Sequence, residues 1–318
     1  MRNKIRALSK EHFKYLKGIA IVAVIVAHVG NYSGRIWFRP LGGIGVALFL
    51  FCSGYGLMTS YYQKGLKGFW RKKLLSVYLP FAFVEIIAAI IYKHPLIDAL
   101  LDLVFVKKLN PYGWYMQYLA VCYILFYVVV RWISNKKIWF LIWGITAGLS
   151  FVFYPTLQAE QAISFIGGLS LAEMNHAEKL PINKKKTVCI GGVAIIAAIG
   201  LLALKQLPIV RAQSHYLIKL LNLLLKNGTA MGIICITAAW QPMWKVFKWL
   251  GELSYSLYLV HGYFMPIIDK QKFGNFYVSS IVMLLLSFVV AIGLNAIVEI
   301  LARRKEMCND TKGISNQQ

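Results

Sequence analysis

Acidic side chains are scarce in this 318-residue chain: 12 Asp+Glu stand against 35 Lys+Arg, and charged residues of both signs make up only 15%. A soluble domain carries roughly 25%, so an ordinary soluble fold is excluded. The shortage of acid leaves a formal net charge of +23, which alone would suit a nucleic-acid partner. Distribution excludes that class, because the basic residues sit in short clusters between apolar runs rather than on one soluble face. Cysteine is sparse as well. The five include no CxxC, and no His/Cys group has zinc-like spacing; Cys52, Cys122, Cys189 and Cys235 fall in apolar runs and Cys308 near the end. They read as reduced small apolar residues, with no disulfide scaffold and no metal implied. Internal repeats and low-complexity segments are lacking. The basic start, MRNKIRALSKEHFKYLK, is followed by no A-x-A cleavage site and reads as a retained signal-anchor.

What the chain has is hydrocarbon. Hydrophobic residues make up 58%, and the mean hydropathy is +0.60. A membrane-crossing helix needs about 20 apolar residues. Candidate spans lie at 15–32, 41–62, 76–92, 114–133, 138–154, 160–174, 187–204, 215–240, 252–269 and 276–301. These runs are too long for barrel strands, so the expected fold is all-α, a polytopic membrane bundle of about ten transmembrane helices. The sixth run is short. In the eighth, Lys219, Asn222 and Lys226 form a polar stripe at helical spacing, so it is expected to begin as an interfacial helix.

Loop charges set the orientation. With ten spans and the N-terminus inside, the cytoplasmic segments hold 24 of the 35 Lys+Arg, and the outside loops hold Arg35, Arg39, Lys93, Lys107, Lys108, Lys205, Arg211, Lys270 and Lys272. The positive-inside rule gives this bias, with both termini cytoplasmic in the cell membrane and basic clusters against anionic lipid headgroups.

Four segments carry chemistry. In LKGIAIVAVIVAHV, residues 16–29, Lys17 and His28 lie eleven steps apart. At about 100° and 1.5 Å per residue they share one helix face, about 16 Å apart along the axis. An anion docked at Lys17 could extend a long arm towards His28, whose imidazole can act as a base near neutral pH. The plainer reading keeps Lys17 as a snorkelling anchor and His28 as a hydrogen bond to a neighbouring helix. In GGIGVALFLFCSGYGL, residues 42–57, glycines allow close approach of backbone or ligand, and Ser53 offers a hydroxyl. In GFWRKKLLSVYLPF, residues 68–81, Arg71, Lys72 and Lys73 precede Pro80 and suit either lipid headgroups or a phosphorylated donor. In LGELSYSLYLVHGYF, residues 250–264, Tyr255, Tyr258 and His261 follow at three-residue steps and should face the bundle interior. Glu85 is an acid inside the third span, suited to orienting a histidine. Trp37, Asp98, Asp102, Asn110, Tyr112, Trp114 and Tyr115 place aromatics beside hydrogen-bonding groups, as a sugar site or an interfacial belt would.

Taken in order, these segments resemble the acyltransferase 3 family of multi-spanning membrane O-acyltransferases. Lys17 and His28 match its basic residue, ten residues, then histidine. Gly45 to Leu57 is similar to its GVxxFFxxSGxL segment, and Gly251, Ser254, Tyr255, Tyr258, Leu259 and His261 to its GxxSYxxYLxH segment. GWYMQYL, residues 113–119, resembles its Trp-led central span. The chain departs from the family at Ala47, where many members carry aspartate, and at Ser76, where a second arginine is common. Many relatives also have a C-terminal hydrolase-like domain that is not seen here.

The resemblance implies a transmembrane domain over 1–304 with a short polar cytoplasmic tail over 305–318. It implies acyl transfer, usually of acetyl, from cytoplasmic acyl-CoA to a hydroxyl of a surface carbohydrate. Lys17, Arg71, Lys72 and Lys73 would hold the phosphates of the donor, acetyl-CoA in the usual case. His28 would serve as base or take the acyl group itself. His261 and Glu85 would assist, and Ser53, Tyr255, Tyr258, Trp114 and Tyr115 would contact substrate. A surface polysaccharide and membrane lipids are the expected partners, no nucleic acid is, and a homo-oligomer is compatible. The rival expectation is a transporter or flippase for a glycan or acyl intermediate, though no inverted repeat supports it.

Overall fold

The computed structural model describes the backbone of residues 8–110, 112–177, 183–242 and 244–315, and side chains up to residue 300 except that of Ile36. The first seven residues, and the side chains of the expected tail over 305–318 with Cys308, lie outside the description. Every regular element among the described residues is helical. The principal helices are α1 (Lys10–Tyr32), α2 (Arg39–Lys64), α3 (Phe69–Ile91), α4 (Leu96–Leu103), α5 (Trp114–Trp132), α6 (Lys136–Phe153), α7 (Ser164–His176), α8 (Lys184–Leu204), α9 (His215–Trp240), α10 (Lys245–Phe264) and α11 (Phe276–Ser315).

Local chemistry sets their starts. Ser9 accepts the His12 amide at 3.2 Å to cap α1, Asn135 accepts that of Lys137 at 2.9 Å to cap α6, and Asn183 accepts that of Lys185 at 2.9 Å to cap α8. Pro40 stands in the first turn of α2, where its missing N–H costs nothing, and Gly65 ends that helix with φ 60°.

Eight of the eleven are long and apolar enough to cross a membrane: α1, α2, α3, α5, α6, α8, α9 and α11. The two remaining expected spans differ for physical reasons. Helix α7 has 13 residues, about 20 Å of rise against about 30 Å of hydrocarbon. Helix α10 has 20 residues and adequate length, but Lys248, Glu252, Ser254, Ser256 and His261 lower its hydropathy. The architecture is a polytopic membrane helix bundle of roughly ten crossings. Its lipid-facing surfaces are plain on α6, α8 and α11, where Leu141, Ile145, Val193, Ile196, Leu285 and Val289 are all exposed.

Helix α9, the eighth segment, runs unbroken for 26 residues and is long and apolar enough to cross a membrane, and Lys219 and Lys226 on its polar stripe are buried.

The helices form two compact units. Unit 1 comprises residues 1–66 and 115–254; unit 2 comprises 67–114 and 255–318, with the boundary inside α10. In unit 1, α1 packs on α2, α2 on α7 and α9, and α8 on α9. Leu16, Ile21, Leu48, Leu50, Phe126 and Phe165 fill its core. The α2–α7 contact is nearly backbone to backbone. A Cβ on Gly54 would lie 2.3 Å from the Phe165 carbonyl oxygen, and one on Gly168 would lie 2.2 Å from that of Phe51. These glycines are consumed by helix packing.

In unit 2, α3 contains a π-helical turn over Leu74–Tyr78, just before Pro80. Proline donates no N–H and crowds the carbonyl four residues back, so the regular ladder cannot pass through it. The Tyr255 hydroxyl donates to the Val77 carbonyl in that turn at 2.5 Å. Stacking of Phe81 on Phe105, 5.0 Å between ring centroids, ties α3 to the loop after α4.

Three substitutions test this architecture. Gly54→Val should cost several kcal/mol through overpacking and sharply lower the melting temperature in detergent. Gly56→Ala, with open space around its Cβ, should leave the melting temperature unchanged or raise it. Tyr255→Phe should cost about 1 kcal/mol for the lost hydrogen bond, read in the same melt.

Candidate functional site

Lys17 and His28 stand on one face of α1, as their spacing requires, and both are half-buried in unit 1. Lys17 is directed into the bundle. Its ammonium acts electrostatically on Cys52 of α2 and on Tyr123 of α5, and the Tyr123 hydroxyl is hydrogen-bonded with Ser53. Ser53 and Tyr123 therefore pair their hydroxyls within electrostatic reach of Lys17; Ser53 was named from the sequence and Tyr123 was not. Tyr115, at the start of α5, is buried with its ring 6.1 Å from Phe49 of α2.

Below Lys17, towards the N-terminus, His12 is fully buried and its Nε2 meets Thr237 Oγ1 at 2.8 Å. That hydroxyl donates to the Ile233 carbonyl, so the histidine nitrogen is the donor. This contact fixes the direction of α9: its C-terminal end lies beside the first turn of α1. The middle of α9, at Lys226, meets the part of α2 that lies beside the end of α1 carrying His28. A Cβ on Gly42 would lie 3.1 Å from that of Ala27, next to His28, and one on Gly43 would lie 2.4 Å from Lys226 Cε.

At that end sits a buried polar network that the sequence reading did not find. Lys226 forms an ion pair with Glu160, and both side chains are almost wholly buried. Asn222 Nδ2 donates to Glu160 Oε1 at 2.7 Å, and Asn227 Nδ2 donates to the Glu160 carbonyl at 3.2 Å. Ser164 Oγ lies 2.7 Å from Asn227 Oδ1 and 2.8 Å from Gln161 Oε1, and Gln161 Nε2 donates to the Gly43 carbonyl at 2.9 Å. The one available signal was the stripe of Lys219, Asn222 and Lys226; its acidic partner lies 66 residues away from Lys226 in the chain.

Unit 2 holds the other candidates. Arg71 and Lys72 are exposed and Lys73 is half-buried at the start of α3. His261 is fully buried, and its Nδ1 lies 2.8 Å from the Tyr258 carbonyl and 3.0 Å from that of Leu257. Carbonyl oxygens only accept, so Nδ1 carries the proton of the neutral ring. The Tyr258 hydroxyl donates to the Tyr112 carbonyl, and the Tyr255 hydroxyl to that of Val77. Both tyrosines thus spend their hydroxyls on backbone. Glu85 is buried and accepts from the Tyr263 hydroxyl, with Asp102 beside it. Asp102, in α4, also accepts the Leu109 amide at 3.3 Å. Burial holds its carboxyl above the usual range. Trp114 is half-buried at the edge of the unit.

Unit 1 thus joins Ser53 to Tyr123 within electrostatic reach of Lys17, and His28 stands on the Lys17 face of α1. Unit 2 joins Tyr258 to His261 and sets Glu85 against Tyr263 and Asp102. Two glycines of α2 are taken up by packing, Gly45 against the Ala20 carbonyl and Gly54 against that of Phe165. No group of three or more His, Cys, Asp or Glu among the described residues could hold a metal ion.

Comparison with curated proteins and with solved structures found no match. The sequence pattern of the family described as an acyltransferase domain, acyltransferase 3, does match, over residues 11–300. That interval runs from the first turn of α1 into α11 and takes in both units and all four motif segments. Joined to eight long apolar helices, it establishes that this chain belongs to the acyltransferase 3 family and is a membrane-embedded acyltransferase.

Proposed function

We propose that this enzyme moves an acyl group, acetyl in the simplest case, from acyl-CoA to a hydroxyl of a surface or exported carbohydrate. The observation that carries the reading is the shared face of α1, with Lys17 among the Ser53 and Tyr123 hydroxyls and His28 at the far end of the same face. Their separation of about 16 Å leaves room for an extended donor arm between an anchored phosphate and a reacting thioester. The orientation inferred from loop charge puts the Lys17 end and both termini at the cytoplasm, where acyl-CoA is available, and His28 towards the outer leaflet of the cell membrane.

In this reading Lys17 of unit 1 pairs with donor phosphates, and Arg71, Lys72 and Lys73 form a basic cluster of unit 2 suited to lipid headgroups or a phosphorylated donor. The Tyr123 hydroxyl, hydrogen-bonded with Ser53, stands within electrostatic reach of the Lys17 ammonium. His28 removes the proton from the acceptor hydroxyl as that oxygen attacks the thioester carbon; the carbon–sulfur bond breaks and the thiol of coenzyme A leaves. Tyr115 and Trp114 offer aromatic faces to a sugar. The other side chains act by positioning. Tyr258 and Tyr255 hold backbone through their hydroxyls, His261 is fixed by carbonyls of its own helix, and Glu85 is held by Tyr263.

The test is transfer of acetyl from acetyl-CoA to surface polysaccharide by purified protein in lipid. His28→Ala should lower kcat by about 10² to 10⁴, the usual contribution of a general base, with unchanged melting temperature. Normal turnover in that variant would remove His28 from the mechanism. Lys17→Gln should raise the KM for acetyl-CoA about tenfold, the loss of one charge-assisted contact, with a smaller effect on kcat. An unchanged KM would return Lys17 to the role of an interfacial anchor.

A further inference from the structure

Away from the Lys17–His28 face, two features of unit 1 meet along the stretch from Tyr154 to Ala162. The first is a cleft of about 440 Å³ between α5 and α6, walled by Val121, Cys122, Trp143, Leu149, Phe153 and Tyr154. Its volume falls within the roughly 300–1,000 Å³ of small-molecule sites. Packed protein leaves few voids larger than a water molecule, and a space of this size lined by apolar side chains suits an apolar guest.

The second is a surplus of cations. Lys219, Asn222 and Lys226 share one face of α9. Lys205 Nζ donates to Asn222 Oδ1 at 2.7 Å, Lys226 pairs with Glu160, and Lys219 Nζ donates to the Tyr154 carbonyl at 3.3 Å. Arg211 adds a fourth cation that acts on Lys205. Among the described residues, Glu160 is the carboxylate paired with this cluster. Burial, and then the like charge of Lys226, holds the Lys205 ammonium below its usual range, a strain that an anion would relieve.

The two features are physically joined. Tyr154 lines the cleft and gives its carbonyl to Lys219. Leu223 of α9, beside Asn222, packs with Ala147 and Ala162 of the cleft wall. Lys219 Nζ stands 5.5 Å from the ring centre of Phe151, which packs against the same cluster. A soluble anion would leave the cleft without a guest, and a neutral lipid would leave the cations unmatched.

We propose that unit 1 binds a phosphate-bearing lipid, with its chain in the cleft between α5 and α6 and its phosphate on Lys205 and Lys219. Lys226 carries the cluster towards α2, because its stem lies against Gly43, beside the glycine that faces Ala27. The headgroup therefore lies at the His28 end of α1. Resting on the acyl-transfer reading, this lipid carries the acceptor hydroxyl.

The experiment measures binding of dodecyl phosphate to purified protein in nanodiscs of zwitterionic lipid, against glycerol phosphate (phosphate without chain) and dodecyl maltoside (chain without phosphate). Dodecyl phosphate should bind at least a hundredfold tighter than glycerol phosphate and tenfold tighter than dodecyl maltoside. The double variant K205Q/K219Q should weaken it at least tenfold, as should V121W/L149W, which fills the cleft from two exposed positions. Equal affinity for dodecyl phosphate and dodecyl maltoside, or wild-type affinity in V121W/L149W, would overturn the site. The cleft variant decides if the lysine variant fails to fold. Acyl transfer to polysaccharide without dodecyl phosphate binding sinks the lipid site and spares the enzyme reading; tight binding without any acyl transfer does the reverse.

Discussion

Hydrocarbon offers no hydrogen bonds, so each polar atom placed in it needs a partner from the protein itself. That constraint orders the whole molecule. It makes every described regular element a helix, whose backbone satisfies itself. It also draws stray polar side chains into shared networks. Asn227 shows how far this goes: one side-chain amide serves the Glu160 carbonyl, the Leu223 carbonyl and Ser164 at once. A charge such as Glu160 survives there because Lys226 and Asn222 divide its two oxygens between them.

The same constraint explains how helices come together. Lipid tails are as apolar as leucine, so apolar burial gives little drive for helix association, and close contact of backbones supplies it instead. Gly54 and Gly168 let α2 and α7 touch main chain to main chain. A family segment that reads as a candidate ligand track is thereby spent on packing. Where the ladder is broken, at the π turn before Pro80, a tyrosine hydroxyl restores the bond. Tyr255 thus earns its place in the motif through backbone repair.

Chemistry sits where polarity exceeds what structure alone requires. Lys17 among two hydroxyls and a thiol, and His28 on the same face, make α1 a helix with ionisable groups at two depths. Cations beyond the Glu160–Lys226 pair mark a second such place. In both, charge is retained within or beside hydrocarbon, where it is costly.

Much of this was legible in the order of residues. The helical class and most of the spans follow from run length, because a helix satisfies its own backbone and only apolar side chains can meet lipid. The register of Lys17 with His28 follows from helix pitch alone. Other features were decided by tertiary structure. The stripe of Lys219, Asn222 and Lys226 suggested a helix lying in the interface, yet the lysines are buried, since their partners Glu160 and Tyr154 come from a loop more than sixty residues earlier. Tyr123 beside Ser53, and Glu85 beside Asp102, were equally invisible. Local periodicity reports what one helix does to its own faces; which face meets lipid, a carboxylate or another backbone is set by long-range packing, and no local pattern encodes it.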